Sequence, residues 1–327
     1  MSNFNDDIYV DLLLSNSIQT NSNNRVLAQF SQTSTQPILK STNDYKLSII
    51  RFYLNTETLP VFIPVMKNAS TTIYSITMEY NNITHQQYME FQPQNVNPVH
   101  SDEYYYVYNY QYLMYLINQC FQSCVDAVKP GAVAPKITFN ADRCTITLDD
   151  SVYGYNEQNK INIYFNYPLY SLLASIPAMQ LNQNVAGKDY QLNNLMSDDP
   201  SILKQEYSTL PILNPVASIV FTSNLLPIYQ SNTPPIQVYI DGKLQNSSSS
   251  YNFMNILTDF VANEMSFTPF VQYSPTIYRY LTMKPNTHIQ NIDLQIFWMK
   301  KTTGELKPLY IGAGGCCSVK LYLTKTA

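Results

Sequence analysis

From Arg25 onward the chain is built of short apolar phrases: RVLAQF, YKLSIIRFYL, TIYSITMEY, QYMEFQ, EYYYVYNY, PKITFNADRCTITL and KINIYFN. Several alternate apolar and polar residues at every second position, and Ile, Val, Thr, Tyr and Phe dominate them. Period-two alternation in β-branched and aromatic residues predicts strands, and the Asn, Pro and Asp clusters between them predict turns. Strand after strand, without a regular helical interval, is the rhythm of an all-β sandwich or barrel rather than of a parallel βαβ fold. Helical spacing is rare. The strongest instance is YQYLMYLINQCFQSCVDAV, residues 110–128, where Leu113, Leu116, Ile117, Cys120, Phe121, Cys124, Val125 and Val128 recur three and four apart, making one apolar stripe. Lys129-Pro130-Gly131 then stops it. A second helix is predicted at YNFMNILTDFVANEM, residues 251–265, and strands NIDLQIFWMKK, ELKPLYIG and CSVKLYLTK follow.

Residues 48–62, SIIRFYLNTETLPVF, are echoed at 218–229 by SIVFTSNLLPIY. Each phrase is a strand that leaves through Leu-Pro. In both halves an amphipathic helix comes later, and a Lys/Asn-Ile strand after that (KINIYF from Lys160, NIDLQIF from Asn291). Three matching elements in one order predict two tandem domains of one design. Between them, residues 182–215 lose alternation and gain turn residues. The expected division is an N-terminal arm at 1–24, whose apolar patch Ile8 to Leu14 also reads as a peripheral strand, a first domain at 25–195, a linker at 196–215 and a second domain at 216–327. A length of 327 residues suits two compact units.

Charged residues make up 13% of the chain, against about 25% in ordinary soluble proteins. Asn, Gln, Ser, Thr and 28 tyrosines take their place, beside a single tryptophan. Codon bias in an A+T-rich genome enriches Asn and Tyr but does not explain the scarcity of Lys and Glu. A surface poor in ions and rich in Tyr desolvates cheaply, as extended contact with neighbouring subunits requires. The net charge is −4 and the longest basic run is Lys300-Lys301, so no polybasic arm is available for a nucleic-acid backbone and no sequence-specific nucleic-acid partner is expected. There is no 18-residue apolar run and no basic leader. Synthesis in a cytosol-like compartment is therefore expected, with the sequons at Asn68, Asn82 and Asn246 unmodified.

Candidate chemistry is sparse. The histidines, His85, His100 and His288, are isolated, and no H-E-x-x-H, G-x-S-x-G or C-x-x-C motif occurs. Gly312, Gly314 and Gly315 superficially resemble a phosphate loop, but a strand follows instead of a helix, so a hairpin turn is expected. Asp149-Asp150 and Asp198-Asp199-Pro200 read as turn carboxylates, not as a calcium loop. Cys120, Cys124, Cys144, Cys316 and Cys317 lack metal-ligand spacing and are expected to be buried reduced thiols. The run from Tyr104 to Tyr110 could offer rings to bases, but its flanks, Asp102 and Glu103, are acidic. Alternating tyrosines on a strand are the preferred reading. No catalytic residue, metal ligand or cofactor is predicted, and the chain is expected not to be an enzyme.

On the paired phrases at 48–62 and 218–229, the helical candidates at 110–128 and 251–265, and the closing strands from Asn291 to Lys325, the chain resembles a double-jelly-roll major capsid protein of an icosahedral DNA virus. The resemblance implies an all-β fold of two tandem jelly-roll barrels, each with a short inserted helix. It also implies homotrimers of pseudo-hexameric outline that tile the shell of a virion assembled inside the host cell. The partners so implied are the chain itself, neighbouring trimers, penton and minor capsid proteins, and an inner membrane met through the arm at 1–24. An alternative keeps the virion but makes the chain a penton or minor capsid protein, with one jelly roll, an elaborated insertion and pentameric assembly. A third reading is a carbohydrate-binding β-sandwich of a receptor-binding spike, with Trp298 as its best stacking ring.

Overall fold

The computed structural model describes residues 7–17, 25–94, 101–154, 159–181, 185–193, 199, 201–229, 238–240, 243–245, 256–261 and 270–325. The chain forms two compact units: Met1–Leu59 with Val216–Ala327, and Pro60–Pro215. Unit one opens with β1 (Ile8–Ser15), β2 (Val26–Leu27), β3 (Gln29–Thr33) and β4 (Tyr45–Asn55). Unit two follows with β5 (Thr71–Tyr80), β6 (Ile83–Glu90), a 3-10 turn at Ser101–Tyr105, α1 (Tyr110–Val128), β7 (Lys136–Asn140), β8 (Arg143–Thr147) and α2 (Asp150–Tyr153). It continues through β9 (Asn162–Phe165), α3 (Tyr167–Leu172), β10 (Ala178–Gln180), β11 (Tyr190–Leu192), β12 (Ile202–Lys204) and α4 (Leu210–Leu213). The chain returns to unit one at β13 (Val216–Thr222), with a hairpin of β14 (Val238–Ile240) and β15 (Lys243–Gln245), then β16 (Ile256–Val261), β17 (Phe270–Tyr273) and β18 (Leu281–Thr282). It closes with β19 (Asn291–Lys300), β20 (Leu306–Pro308), β21 (Tyr310–Ile311) and β22 (Cys316–Lys325).

Unit one holds two main antiparallel sheets. One runs β1-β22-β4-β17 with β18 also on β4, and the other runs β16-β13-β19 with β3 and β20 along the far side of β19. Lettering β1, β3, β4, β13, β16, β17, β19 and β22 from B to I gives the sheets B-I-D-G and C-H-E-F. That is the strand order of a single eight-stranded jelly roll. Its core is aromatic where the two sheets face: Phe52 of β4 lies 5.2 Å from Phe221, 4.8 Å from Phe260 and 5.3 Å from Tyr273, ring centre to ring centre. Phe221 and Phe260 meet edge to face at 5.6 Å.

The strands of the two similar phrases are therefore D and E of one sandwich, and Phe52 and Phe221 face each other across its core. The all-β jelly-roll class is as expected, but the tandem arrangement is not what the chain adopts. Residues 25–59 belong with the C-terminal segment, and the second unit is an insertion between β4 and β13. Its sheets run β10-β11-β9-β5-β6 and β12-β8-β7 around a 19-residue helix, which among the described residues is not the strand order of a second jelly roll.

The expected linker at 196–215 is structured over its described residues: β12 pairs with β8, and Leu203, Leu210 and Leu213 enter the core of unit two. Gln205 fixes this segment, its Oε1 accepting from Cys144 N at 2.8 Å and its Nε2 donating to Ala174 O at 3.0 Å. The expected arm is, over Ile8–Ser15, strand β1, paired along its length with β22. Residues 1–6 and 18–24 lie outside the described residues.

Helix α1 forms where the spacing predicts it. Asn109 caps its first turn by accepting from Tyr112 N at 2.8 Å, and its apolar stripe is buried against β5, β6 and β7. Each fully buried Leu, Ile, Val or Phe contributes about 1.5–3 kcal/mol, so this stripe, more than intrinsic propensity, holds the helix. Asn166 caps α3 and also clasps β5: its Oδ1 accepts from Leu169 N at 3.1 Å and Ser75 N at 3.0 Å, while its Nδ2 donates to Ile73 O at 2.7 Å.

The second predicted helix is not formed over its described residues. Ile256–Val261 is a strand on β13, and the register slips at Leu257, which has no partner residue in the ladder. The remainder of 251–265 lies outside the described residues.

Candidate assembly surface

Residues singled out for chemistry are dispersed. His85 sits in β6 opposite Met78, His288 is exposed in a loop of unit one, and His100 lies outside the described residues. Asp149 caps α2, accepting from Ser151 N at 2.9 Å and Ser151 Oγ at 2.6 Å. Asp199 makes the same pair of bonds with Ser201. In each case the hydroxyl and then the amide hold the carboxyl below the usual range, which is turn capping. Asp198 is outside the described residues.

The glycines at 312–315 make a turn, but not a hairpin, because β21 pairs with β2 whereas β22 pairs with β1 and β4. Gly314 has φ +76°, a left-handed conformation suited to glycine, and its N–H donates to Asn16 O at 2.8 Å.

All five cysteines are free thiols, and only Cys316 is partly exposed. Hydrogen bonding with Cys124, then burial, pushes the Cys120 thiol well up. Burial pushes Cys144 and Cys317 up to about 12. These are protonated core thiols, not nucleophiles. The tyrosine run is not a strand: Tyr104 and Tyr105 lie in a 3-10 turn, Val107 bridges to Phe62, and Tyr110 begins α1. Trp298, at 4% exposure, is inside unit one and presents no face to a sugar. Among the described residues no three His, Cys, Asp or Glu side chains converge as metal ligands, and no helix is long and apolar enough to cross a membrane.

What the structure does gather is an aromatic and charged outer face on the sheet β1-β22-β4-β17. Alternation along β1 turns Tyr9, Asp11 and Leu13 outward while Leu12 is buried. The register then sets Tyr9 against Tyr322 and Asp11 against Lys320. The Tyr9 and Tyr322 rings stack at 4.9 Å, and Tyr278 and Tyr280 come within 5.9 and 6.4 Å of Tyr322. Asp11 receives Lys320 Nζ at 3.2 Å and Arg51 at 3.5 Å. Farther across, Tyr53 stacks on Phe270 at 5.4 Å.

Solvent-exposed ion pairs contribute about 0–1 kcal/mol, so this trio stabilises little. It does neutralise the one acid of β1 within its own sheet. Leu13 is 74% exposed, and Ile277, between β17 and β18, is 82% exposed. These two apolar side chains stand at opposite margins of the same sheet, with the tyrosines between them. Sequence reasoning missed this face, because only the strand order brings residues 9, 51, 278 and 322 together. The alternation of IYVDLLLS was its one legible trace.

A family model described as Sputnik minor capsid protein V18/19 matches residues 8–325. "Uncharacterized protein V18" of Sputnik virophage is 28% identical over 152 residues, covering 40% of this chain and 90% of that protein. "Structural protein V19" of the same virophage is 26% identical over 182 residues, covering 51% and 82%. Among solved structures, a chain of the Sputnik virophage, determined by cryo-electron microscopy, superposes with a TM-score of 0.81 at 26% identity over 98% of both chains. The mavirus penton protein shares the fold, with a TM-score of 0.72 at 17% identity over 98% of this chain and 99% of that one. With an all-β jelly-roll unit and a family match across nearly its whole length, the chain belongs to the Sputnik minor capsid protein V18/19 family and is a structural, non-enzymatic protein of the virion capsid.

Proposed function

We propose that the chain is the penton-type minor capsid protein of its virion and works as a ring of five copies, not as the trimeric major tile. The observation that carries this is the single jelly roll of unit one. Three chains with one sandwich each do not supply the six barrel wedges of a pseudo-hexamer, whereas one sandwich per subunit suits a five-membered ring. The minor-capsid description of the family and the fold shared with the mavirus penton protein support the same reading. Unit two, inserted between strands D and E, is then an elaboration of the subunit and not a second tile.

Light scattering on the purified full chain tests this. A ring of five has about five times the mass of the 37.5 kDa chain, near 188 kDa, and appears as five-membered rings in negative stain. A trimer of about 112 kDa, three times the chain mass, would return the major-capsid reading.

A further inference from the structure

We propose that β1 and β17, the two edges of the sheet β1-β22-β4-β17, are the complementary halves of one head-to-tail interface. In it, β1 of one copy docks beside β17 of the next. The proposal rests on the ring reading above, since a closed ring of identical subunits needs two different patches on each subunit.

Strand β1 is an edge of a kind that monomeric proteins blunt. It is eight residues long, IYVDLLLS, without proline or lysine, and among the described residues its outer backbone row has no strand partner. Edges of this length and apolarity pair with other chains unless they are charged, bulged or covered. Its only charge, Asp11, is already engaged by Lys320 and Arg51. The opposite edge, β17, reads FVQY and carries no charge. Around it Val261, Phe270, Tyr273 and Ile277 are exposed.

Ring closure selects the partner. Pairing β1 with β1 of another copy about a twofold axis uses one patch twice and closes on itself as a dimer, which does not continue into a ring. Pairing β1 with the uncharged β17 avoids this and sets Tyr9 and Leu13 beside Phe270 and Ile277. Because both edges belong to one sheet, the junction continues its twist from subunit to subunit. The occupant is therefore a second copy of this chain.

The test uses the full chain with Cys316→Ser, which removes the one partly exposed thiol. Leu13→Cys and Gln272→Cys chains carrying different tags are expressed together and treated with a short bis-maleimide. The expected result is a covalent dimer containing one of each, with little product from either variant alone. Separately, Leu13→Arg and Ile277→Arg, both at exposed positions, should keep the wild-type melting temperature while raising the concentration for half-assembly more than tenfold.

Crosslinks between two Leu13→Cys chains, or rings that persist in Leu13→Arg without mixed crosslinks, would overturn the edge pairing and leave the ring reading intact. A wild-type trimer with mixed crosslinks would overturn the ring of five and keep the edge pairing. A wild-type monomer would remove both.

Discussion

Replacing Phe52 by alanine tests the claim that unit one is a single sandwich closed by residues from both ends of the chain. Phe52 is 1% exposed, and its ring touches Phe221, Phe260 and Tyr273, each from a strand synthesised after unit two. A buried Phe→Ala change costs about 3–5 kcal/mol, and three aromatic neighbours place this one near the upper half, about 4 kcal/mol. Unit one has about 170 residues, and for domains of that size 1 kcal/mol moves the melting temperature by about 2–4 °C. The expected fall is therefore about 8–16 °C, or about 2 M in urea midpoint with a slope of about 2 kcal/mol/M. Hydrogen exchange read by mass spectrometry should show the loss in peptides from β4, β13, β16 and β22, with α1 and β5 unchanged. Phe121→Ala, in the core of unit two, should give the reverse pattern. A loss below about 1 kcal/mol, or protection lost equally in both units, would refute the assignment of β4 and β13 to one core.

Three further outcomes follow from local chemistry. Asn166→Ala removes a helix cap worth about 0.5–2 kcal/mol and leaves the Ser75 amide without its acceptor at about 1–3 kcal/mol. Unit two should lose about 2–4 kcal/mol by chemical denaturation, and Asn166→Asp, which keeps the acceptor, should lose less. The Glu79 carboxyl is held below its ordinary value of 4.5, first by its hydrogen bond to Lys188 and then by the opposing charge of that residue. Its folded value is thus depressed, so its contribution is present above the unfolded value and disappears as pH falls through the folded one. Lys188→Met should flatten the acid limb of a stability-against-pH curve, and an unchanged limb would count against the pair. Alkylation of native protein at about pH 8 should label Cys316 first, with Cys120, Cys144 and Cys317 reacting only after unfolding, as mass spectrometry of the labelled peptides would report.

Much of the fold was legible locally and little of it globally. The α1 stripe was readable because Leu113, Ile117, Cys120 and Cys124 face one core continuously. The phrases SIIRFYL and SIVF were readable as strands, but their likeness misled. Apolar patterning records how buried a strand is, not which strand it joins. Ser48 and Ser218 are both buried, and Phe52 and Phe221 both point into one sandwich, so two neighbours in space looked like counterparts in two domains. The helical reading of residues 256–261, which form a strand, has a comparable cause. The register slip at Leu257 lets Leu257 and Phe260, three apart, both be buried, and one bulge converts a strand period into an apparent helical one. The tyrosine face on β1 and β22 depended on a pairing across more than 300 residues, which no local pattern encodes.

The place of β22 bears on how the molecule is made. It lies between β1 and β4 and is translated after every other described strand. As the polypeptide leaves the ribosome, unit two is complete once residue 215 has emerged, while β1 and β4 wait with Leu47, Phe52 and Leu54 unburied. Closure across such a separation is slow and exposes the nascent product to aggregation or to chaperone capture. An interrupted translation product lacks the strand that joins β1 to its sheet, so neither that sheet nor its β1 edge takes shape until the last strand has been made.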